Sequence, residues 1–295
     1  MNKNRRDQQI ALITGCSRGI GYTTVELLAL RGFKIYACVR SIKNCKNLRF
    51  LAEKNSNIII RETDLNKKFS IQKIAREIKE KEEKIDVIVN NASSIIFGPI
   101  ETISPKQFHE QFQVNLFGPI LLTQELIPLM RKEKKGHIIF LGSTSGIESH
   151  GMYGAYAASK FSLEAICHSL AVNLYPWNIH VSIIELSATA TLLAKKTLKT
   201  GSRMKSSENP YLNYTRDTLE YLRTLLINGT PPKEIANAIL EIILNPPKEL
   251  RYFATKRSKE TFEMTLKDPA NIKWKEEAQQ GPNFYSECAC LYNNH

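Results

Sequence analysis

Apolar residues in this chain fall into short, nearly unbroken runs. Between them lie longer stretches in which apolar positions recur every three or four residues. The runs "IALIT" (10–14), "KIYACVR" (34–40), "NIIIRETD" (57–64), "DVIVNNA" (86–92), "HIIFLGS" (137–143) and "HVSIIEL" (180–186) read as strands. "GIGYTTVELLALRG" (19–32) reads as a helix closed by glycine, and another helix is expected around 47–54. "SIQKIAREIKEKEEK" (70–84) puts Ile71, Ile74, Ala75 and Ile78 on one helical face and charges elsewhere. "SPKQ", from Ser104, supplies a cap and a proline for the first turn of a long helix. A further helix is expected over 154–175. Apolar strands alternating with helices predict a parallel sheet covered on both faces. The expected fold class is α/β, a doubly wound parallel sheet (Rossmann fold) in a single domain over 10–255. Its ligands would sit beyond the carboxyl ends of the strands.

After Leu186 the pattern loosens. Residues 187–215 are polar and rich in breakers, apart from the short apolar "TLLA". The stretch 186–230 is expected to be a mobile substrate-loop insertion over the site. Order returns with a helix at "PPKEIANAILEIILN" (231–245) and a short strand within 250–255. Residues 1–9 form an N-terminal arm, and 256–295 a polar, partly helical C-terminal tail.

Composition narrows the class. The chain has 295 residues, 42% hydrophobic and 24% charged, the balance of a soluble globular protein with a sizeable core. It has no apolar run of the roughly 18 residues a membrane-spanning helix needs. The N-terminal apolar run is too short for a secretory signal, so a cytoplasmic location is expected. The cysteines (Cys16, Cys38, Cys45, Cys167, Cys288 and Cys290) show no paired CxxC spacing, so free thiols and no metal site are expected. The formal charge of +12 is dispersed among acids, as in "EIKEKEEK", and does not point to nucleic acid. Weak association with acidic membrane surfaces stays open.

The candidate chemistry lies at two places. "TGCSRGIG" (14–21) joins the first strand to the first helix. Gly15, Gly19 and Gly21 let the backbone turn tightly and approach a pyrophosphate, which the helix N-terminus then attracts. Thr14, Ser17 and Ile20 belong to the same turn. Arg40 ends the second strand, where an acid would bind the ribose hydroxyl of NAD. With Arg18 it can fork around a 2′-phosphate, so NADP(H) is the expected cofactor. In "GMYGAYAASKF" (151–161), Tyr156 and Lys160 stand at i and i+4 on one helix, whereas Tyr153 has Ala157 at that spacing. A neighbouring ammonium favours a phenolate, so Tyr156 is expected to have a lowered pKa and to exchange protons with an alcohol or carbonyl. Ser143, at the rim of the fifth strand, can donate to the same oxygen. Tyr153 is expected to pack or to border the entrance.

These residues, together with "NNA" (90–92) and "VN" (114–115), come in an order and spacing that resembles the classical short-chain dehydrogenases/reductases over about 10–255. The resemblance implies a tetrad of Asn115, Ser143, Tyr156 and Lys160. Tyr156 would be the acid/base, and Lys160 would hold the nicotinamide ribose and tune the tyrosine. Ser143 would orient the substrate oxygen, and Asn115 would hold a relay water. It also implies that Asp64 and Leu65 meet the adenine, that Asn91 and Ala92 line the cofactor cleft, and that Thr191 contacts the carboxamide. "KIYACVR", the stretch from Tyr156 to Glu185 and "LRYFATKR" are similar to the 17β-hydroxysteroid dehydrogenase type 1 and photoreceptor retinol dehydrogenase branch. That branch implies NADP(H), a small lipophilic alcohol or carbonyl substrate, and a homodimer built through two long helices. Two positions depart from the family pattern: Leu186-Ser187 stands where Pro-Gly is usual, and Ser93 where glycine follows "NNA". The alternatives are a reductase of 3-oxoacyl thioesters or other small ketones, and a catalytically silent NADP-binding scaffold.

Overall fold

The computed structural model describes residues 7–190, 199–204 and 209–267. Seven parallel strands form one sheet: β1 (Ile10–Thr14), β2 (Lys34–Val39), β3 (Ile58–Glu62), β4 (Val87–Asn90), β6 (Gly136–Leu141), β7 (Ile179–Glu185) and β9 (Arg251–Phe253). Their order is β3-β2-β1-β4-β6-β7-β9. The order reverses direction at β1 and β4, which opens a crevice at the carboxyl ends of the strands. The register is continuous there: Ile13 pairs with Ala37 and Val89, and Leu141 pairs with Ile184. β1 and β6 are buried along their whole length and are mostly apolar on both faces, His137 excepted.

Helices cover both faces. On one lie α1 (Gly19–Leu30), α2 (Lys46–Lys54) and α8 (Pro232–Leu244). Leu28, Leu48 and Ile239 pack there on Ile13, Ala37 and Val89. On the other lie α3 (Lys68–Lys81), α5 (Gly118–Glu133) and α6 (Gly154–Leu174). Ile71, Ile74, Ala75 and Ile78 of α3, the face expected from the sequence, pack with Leu122, Leu126 and Leu163 on Leu12, Ile88 and Ile138. Each cluster buries the apolar surface that drives the layers together.

The structure modifies two expectations. First, the long helix from Ser104 is in two parts. α4 (Pro105–Phe112) opens with the expected cap, Gln107 N–H donating to Ser104 Oγ at 3.3 Å and Gln107 Oε1 accepting from Ser104 N–H at 3.2 Å. Residues Gln113–Phe117 then widen into a π-turn before α5 begins. Such a turn places an extra residue in the helix and re-aims its side chains. Second, 186–230 contains regular structure. β8 (Lys199–Thr200) pairs with β5 (Ile96–Phe97), and α7 (Leu212–Ile227) is a sixteen-residue helix. A bridge between Thr189 and Thr230 clamps the two ends of this insertion. In the sequence, the breakers before it mask the helical spacing of Leu219, Leu222 and Leu226. The tail, expected to be partly helical, begins with α9 (Lys256–Lys267). Among the described residues, no helix is long and apolar enough to cross a membrane.

Candidate active site

The glycine turn is shaped by what it must not carry. Gly15 and Gly19 have φ of 74° and 59°, the left-handed region that side chains disfavour. A Cβ on Gly15 would lie 2.8 Å from Asn91 Nδ2, and one on Gly21 would lie 2.6 Å from the Gly15 carbonyl. Asn91 is the brace: its amide donates to the Thr14 carbonyl at 2.7 Å, and its own N–H donates to Thr14 Oγ1 at 3.0 Å. The N–H of Ala92 reaches the same hydroxyl at 3.0 Å. β4 is thereby bound to the turn after β1, and the N-terminus of α1 faces the crevice.

That crevice is part of a cleft of about 1740 Å³. Of the residues expected at the cofactor, Thr14, Gly15, Ser17, Arg18, Gly19, Ile20, Arg40, Asp64, Leu65, Asn91 and Ala92 line it. Gly21 sits behind the turn, where it allows close packing. Arg40 lies one residue past β2 and is exposed, and Arg18 precedes α1. The Asp64 carboxylate accepts from the N–H of Asn66 at 3.0 Å and closes its own turn. Leu65 is buried between the cleft and Gly118. Thr191 lies outside the described residues.

Ser143, Tyr156 and Lys160 line the same cleft. β6 ends at Leu141, so Ser143 stands two residues beyond the strand and caps a short turn, accepting from Ser145 N–H at 3.1 Å. Tyr156 and Lys160 project from the first turns of α6, with the ammonium 5.8 Å from the phenol ring centre. Lys160 is buried and donates to the Leu141 carbonyl at 2.6 Å. The expected lowering of the Tyr156 pKa is not what the structure gives. Burial raises the phenol to about 12, the Ser143 hydroxyl pulls it down, and the Glu185 carboxyl pushes it up. Burial also lowers Lys160 to about 8, against a raising influence of Glu185.

Asn115 sits in the π-turn, behind the other three, and does not line the cleft. Its amide donates to the Ser94 carbonyl and to Ser159 Oγ, each at 3.0 Å, and its oxygen accepts from Ser94 N–H at 2.9 Å. Ser93 joins this set, donating to Asn115 Oδ1 at 3.3 Å. Its hydroxyl therefore points at Asn115. At the other departure, the Leu186 carbonyl accepts from Thr144 N–H at 2.9 Å and keeps the ladder going past β7.

The outer wall comes partly from the 186–230 insertion expected over the site, here as a helix, and partly from α9. Tyr221, Leu222, Leu225 and Leu226 of α7, with Thr261 and Met264 of α9, face the cleft beside Tyr153. Tyr153 is half-buried and packs edge-on against Phe97, ring centres 5.3 Å apart at 89°. The sequence also gave no role to Glu185, a wholly buried acid at the end of an apolar strand. An acid in "SIIEL" was the available signal.

A doubly wound sheet with a glycine turn at its crevice and a Tyr-Lys-Ser group beside it defines a nucleotide-dependent enzyme class. The family model described as "short chain dehydrogenase" matches residues 9–201. The chain belongs to the short-chain dehydrogenase family, and so to the oxidoreductases of CH–OH groups. It is 31% identical over 277 residues to human 17-beta-hydroxysteroid dehydrogenase type 1, covering 90% of this chain and 83% of that protein. It is 29% identical to bovine retinol dehydrogenase 8, covering 88% and 85%. A short-chain dehydrogenase from Streptomyces avermitilis superposes with a TM-score of 0.79 at 24% identity, covering 92% of this chain and 97% of the other. A metagenomic short-chain oxidoreductase in complex with NADP matches with a TM-score of 0.66 at 23% identity, covering 83% and 96%. A Burkholderia phymatum relative in complex with NAD matches at 0.78 and 20%, covering 90% and 95%.

Proposed function

We propose that this protein interconverts an alcohol and a carbonyl by hydride transfer to or from NADP(H), with Tyr156 as acid/base, on a lipophilic substrate of steroid or retinoid size. The observation that carries the reading is the shared cleft. The glycine turn, Ser143, Tyr156 and Lys160 open into one space, so a dinucleotide on the turn extends toward the phenol. The cofactor supplies the hydride. Arg18, in the glycine turn, and Arg40, one residue past β2, both line the cleft and favour the 2′-phosphate form.

This chain's own groups do the rest. Ser143 and Tyr156 hold the substrate oxygen, and Tyr156 gives it a proton in reduction or takes one in oxidation. The Lys160 ammonium favours the phenolate formed when the proton leaves. Asn115 fixes the wall behind them through Ser94 and Ser159. The apolar outer wall of Leu222, Leu225, Leu226 and Met264 supports a lipophilic substrate. The names of the hydroxysteroid and retinol relatives agree with it. A homodimer is part of the reading: Phe161 and Val172 on α6 and Phe117 before α5 are exposed large apolar groups on the two long helices.

The test is NADPH oxidation with a panel of steroid ketones, retinals, simple aldehydes and acetoacetyl thioesters. Turnover confined to the large apolar carbonyls is expected. Turnover confined to the thioester would move the substrate class. Tight NADPH binding with no turnover on any member would favour a silent scaffold.

A further inference from the structure

A second group of ionisable side chains lies directly under Lys160. Glu185, the last residue of β7, is fully buried, and neither of its carboxylate oxygens meets a hydrogen-bond partner among the described residues. It lies against the backbone of Gly142, where a Cβ would stand 2.9 and 3.0 Å from its two oxygens. The Lys160 ammonium is bonded to the carbonyl of the preceding residue, Leu141. Glycine at 142 is thus the condition for a carboxyl to lie beside this lysine.

Around Glu185 stand the titratable and charged groups of the elements packed on it. From α6 come Tyr156, Lys160, Glu164 and Cys167, and from β9 comes Arg251. Arg251 holds Glu164: its Nε and Nη2 both lie 2.8 Å from Glu164 Oε2. Glu164 Oε1 is left buried without a hydrogen-bond partner among the described residues, on the side of Glu185. Two carboxyls face each other in the interior, and only one has a guanidinium. Two like charges in one dry site do not both ionise. Burial first, and Glu164 second, push Glu185 up to about 9. The group then holds two cations, Lys160 and Arg251, and one anion, Glu164. A single net positive charge remains beneath Tyr156.

We propose that Glu185 and Glu164 form a carboxyl pair that keeps one proton, so that the charge of Lys160 is left uncancelled for the Tyr156 phenolate. Glu185 is a positioning residue acting through Lys160. The inference rests on the reading of Tyr156 and Lys160 as the proton-transfer pair. Only a proton moves. As pH rises it leaves the Lys160–Glu185 pair, and the anion formed on Glu185 holds the remaining proton on the ammonium. The charge Tyr156 senses is then cancelled.

The experiment follows Lys160 itself, without cofactor or substrate. Protein labelled with carbon-13 at the lysine Cε is titrated by NMR, and the Lys160 signal is assigned by its loss in Lys160→Arg. In Glu185→Gln no anion can form beside the ammonium, and the Lys160 midpoint is expected to fall by about one pH unit or more. In Glu164→Gln the like-charge neighbour is gone and Arg251 is free to face Glu185. Lys160 should then keep its charge to at least the wild-type pH. Glu185→Asp should restore the midpoint toward wild type. One midpoint common to all the variants, or the reverse order, overturns the proposal. Should Glu185→Gln fail to fold, the comparison of wild type with Glu164→Gln decides. A Lys160 midpoint unmoved in Glu185→Gln, or lowered in Glu164→Gln, strikes the carboxyl pair alone, whereas absence of turnover in the carbonyl panel strikes the proposed reaction.

Discussion

Lys160 and Leu141 are joined by a 2.6 Å hydrogen bond from the ammonium to the main-chain carbonyl. The last residue of β6 thereby fixes a side chain of α6, and the lysine is held at the sheet rim one helical turn from Tyr156. Helix and strand meet at the point where the chemistry is expected.

Tyr156→Phe removes the hydroxyl proposed to carry the substrate proton. Turnover should fall by roughly 10²- to 10⁴-fold or more, the range set by losing a positioned acid/base. NADPH affinity, read by fluorescence titration, should change little. Tyr153→Phe keeps the ring against Phe97 and should leave the chemical step within a few-fold of wild type. Equal losses in the two variants would remove the distinction between the tyrosines.

Arg40→Asp replaces a cation at the cleft with an anion where the 2′-phosphate is expected. Loss of charge-assisted hydrogen bonds, each worth about 1.5–3 kcal/mol, should weaken NADPH by roughly 10- to 150-fold. NADH, which lacks the phosphate, should be affected far less. Matched losses for the two cofactors would show that Arg40 does not read the phosphate.

Ser93→Gly restores the residue usual in the family and deletes a 3.3 Å hydrogen bond to Asn115. The change should cost about 1 kcal/mol or less in stability, measured by denaturant unfolding. Cofactor affinity should stay the same, since the hydroxyl points at Asn115. A marked gain in affinity would mean that the serine crowds the dinucleotide.

His137 sets a pH limit on the fold. It is buried, its Nε2 is 2.9 Å from Ser182 Oγ, and burial lowers its pKa from 6.5 to about 3. Below pH 6.5 the unfolded chain protonates this imidazole and the folded chain does not. Stability contributed by the neutral ring is therefore complete above pH 6.5 and lost as pH falls toward 3, by about 1.4 kcal/mol per pH unit. Glu77 adds to the loss at the acid end. The Arg61 guanidinium, bonded to it at 2.6 Å, holds it at about 2, so its contribution is present above 4.5 and disappears below. Melting temperatures across pH 4 to 7 should fall less steeply in His137→Phe than in wild type. Parallel curves would count against the histidine.

Periodicity told the sheet and its flanking helices because the central strands are largely apolar on both faces and each helix on one. The glycine turn was legible because only glycine fits at Gly15 and Gly19. Other features depended on neighbours distant in the chain. The π-turn at Asn115 has no periodic signature, since one added residue leaves local composition unchanged. α7 was hidden because the breakers before it outweighed the spacing of Leu219, Leu222 and Leu226. The raised phenol of Tyr156 could not be read from i and i+4 spacing. It follows from burial and from Glu185, which only the β6–β7 pairing brings near.

The cleft is assembled from two stretches of chain with different obligations. Its floor, from Thr14 to Lys160, is welded into the sheet by ladder bonds, by Asn91 and by Lys160. Its roof, from α7 and α9, rests on an insertion clamped at Thr189 and Thr230 and on a helix that follows the last strand. On the proposed function, a change in the roof would alter what shape of molecule is admitted and leave untouched the alignment of cofactor and phenol. Molecules of new outline can thus be tried against a fixed reaction centre, one leucine at a time.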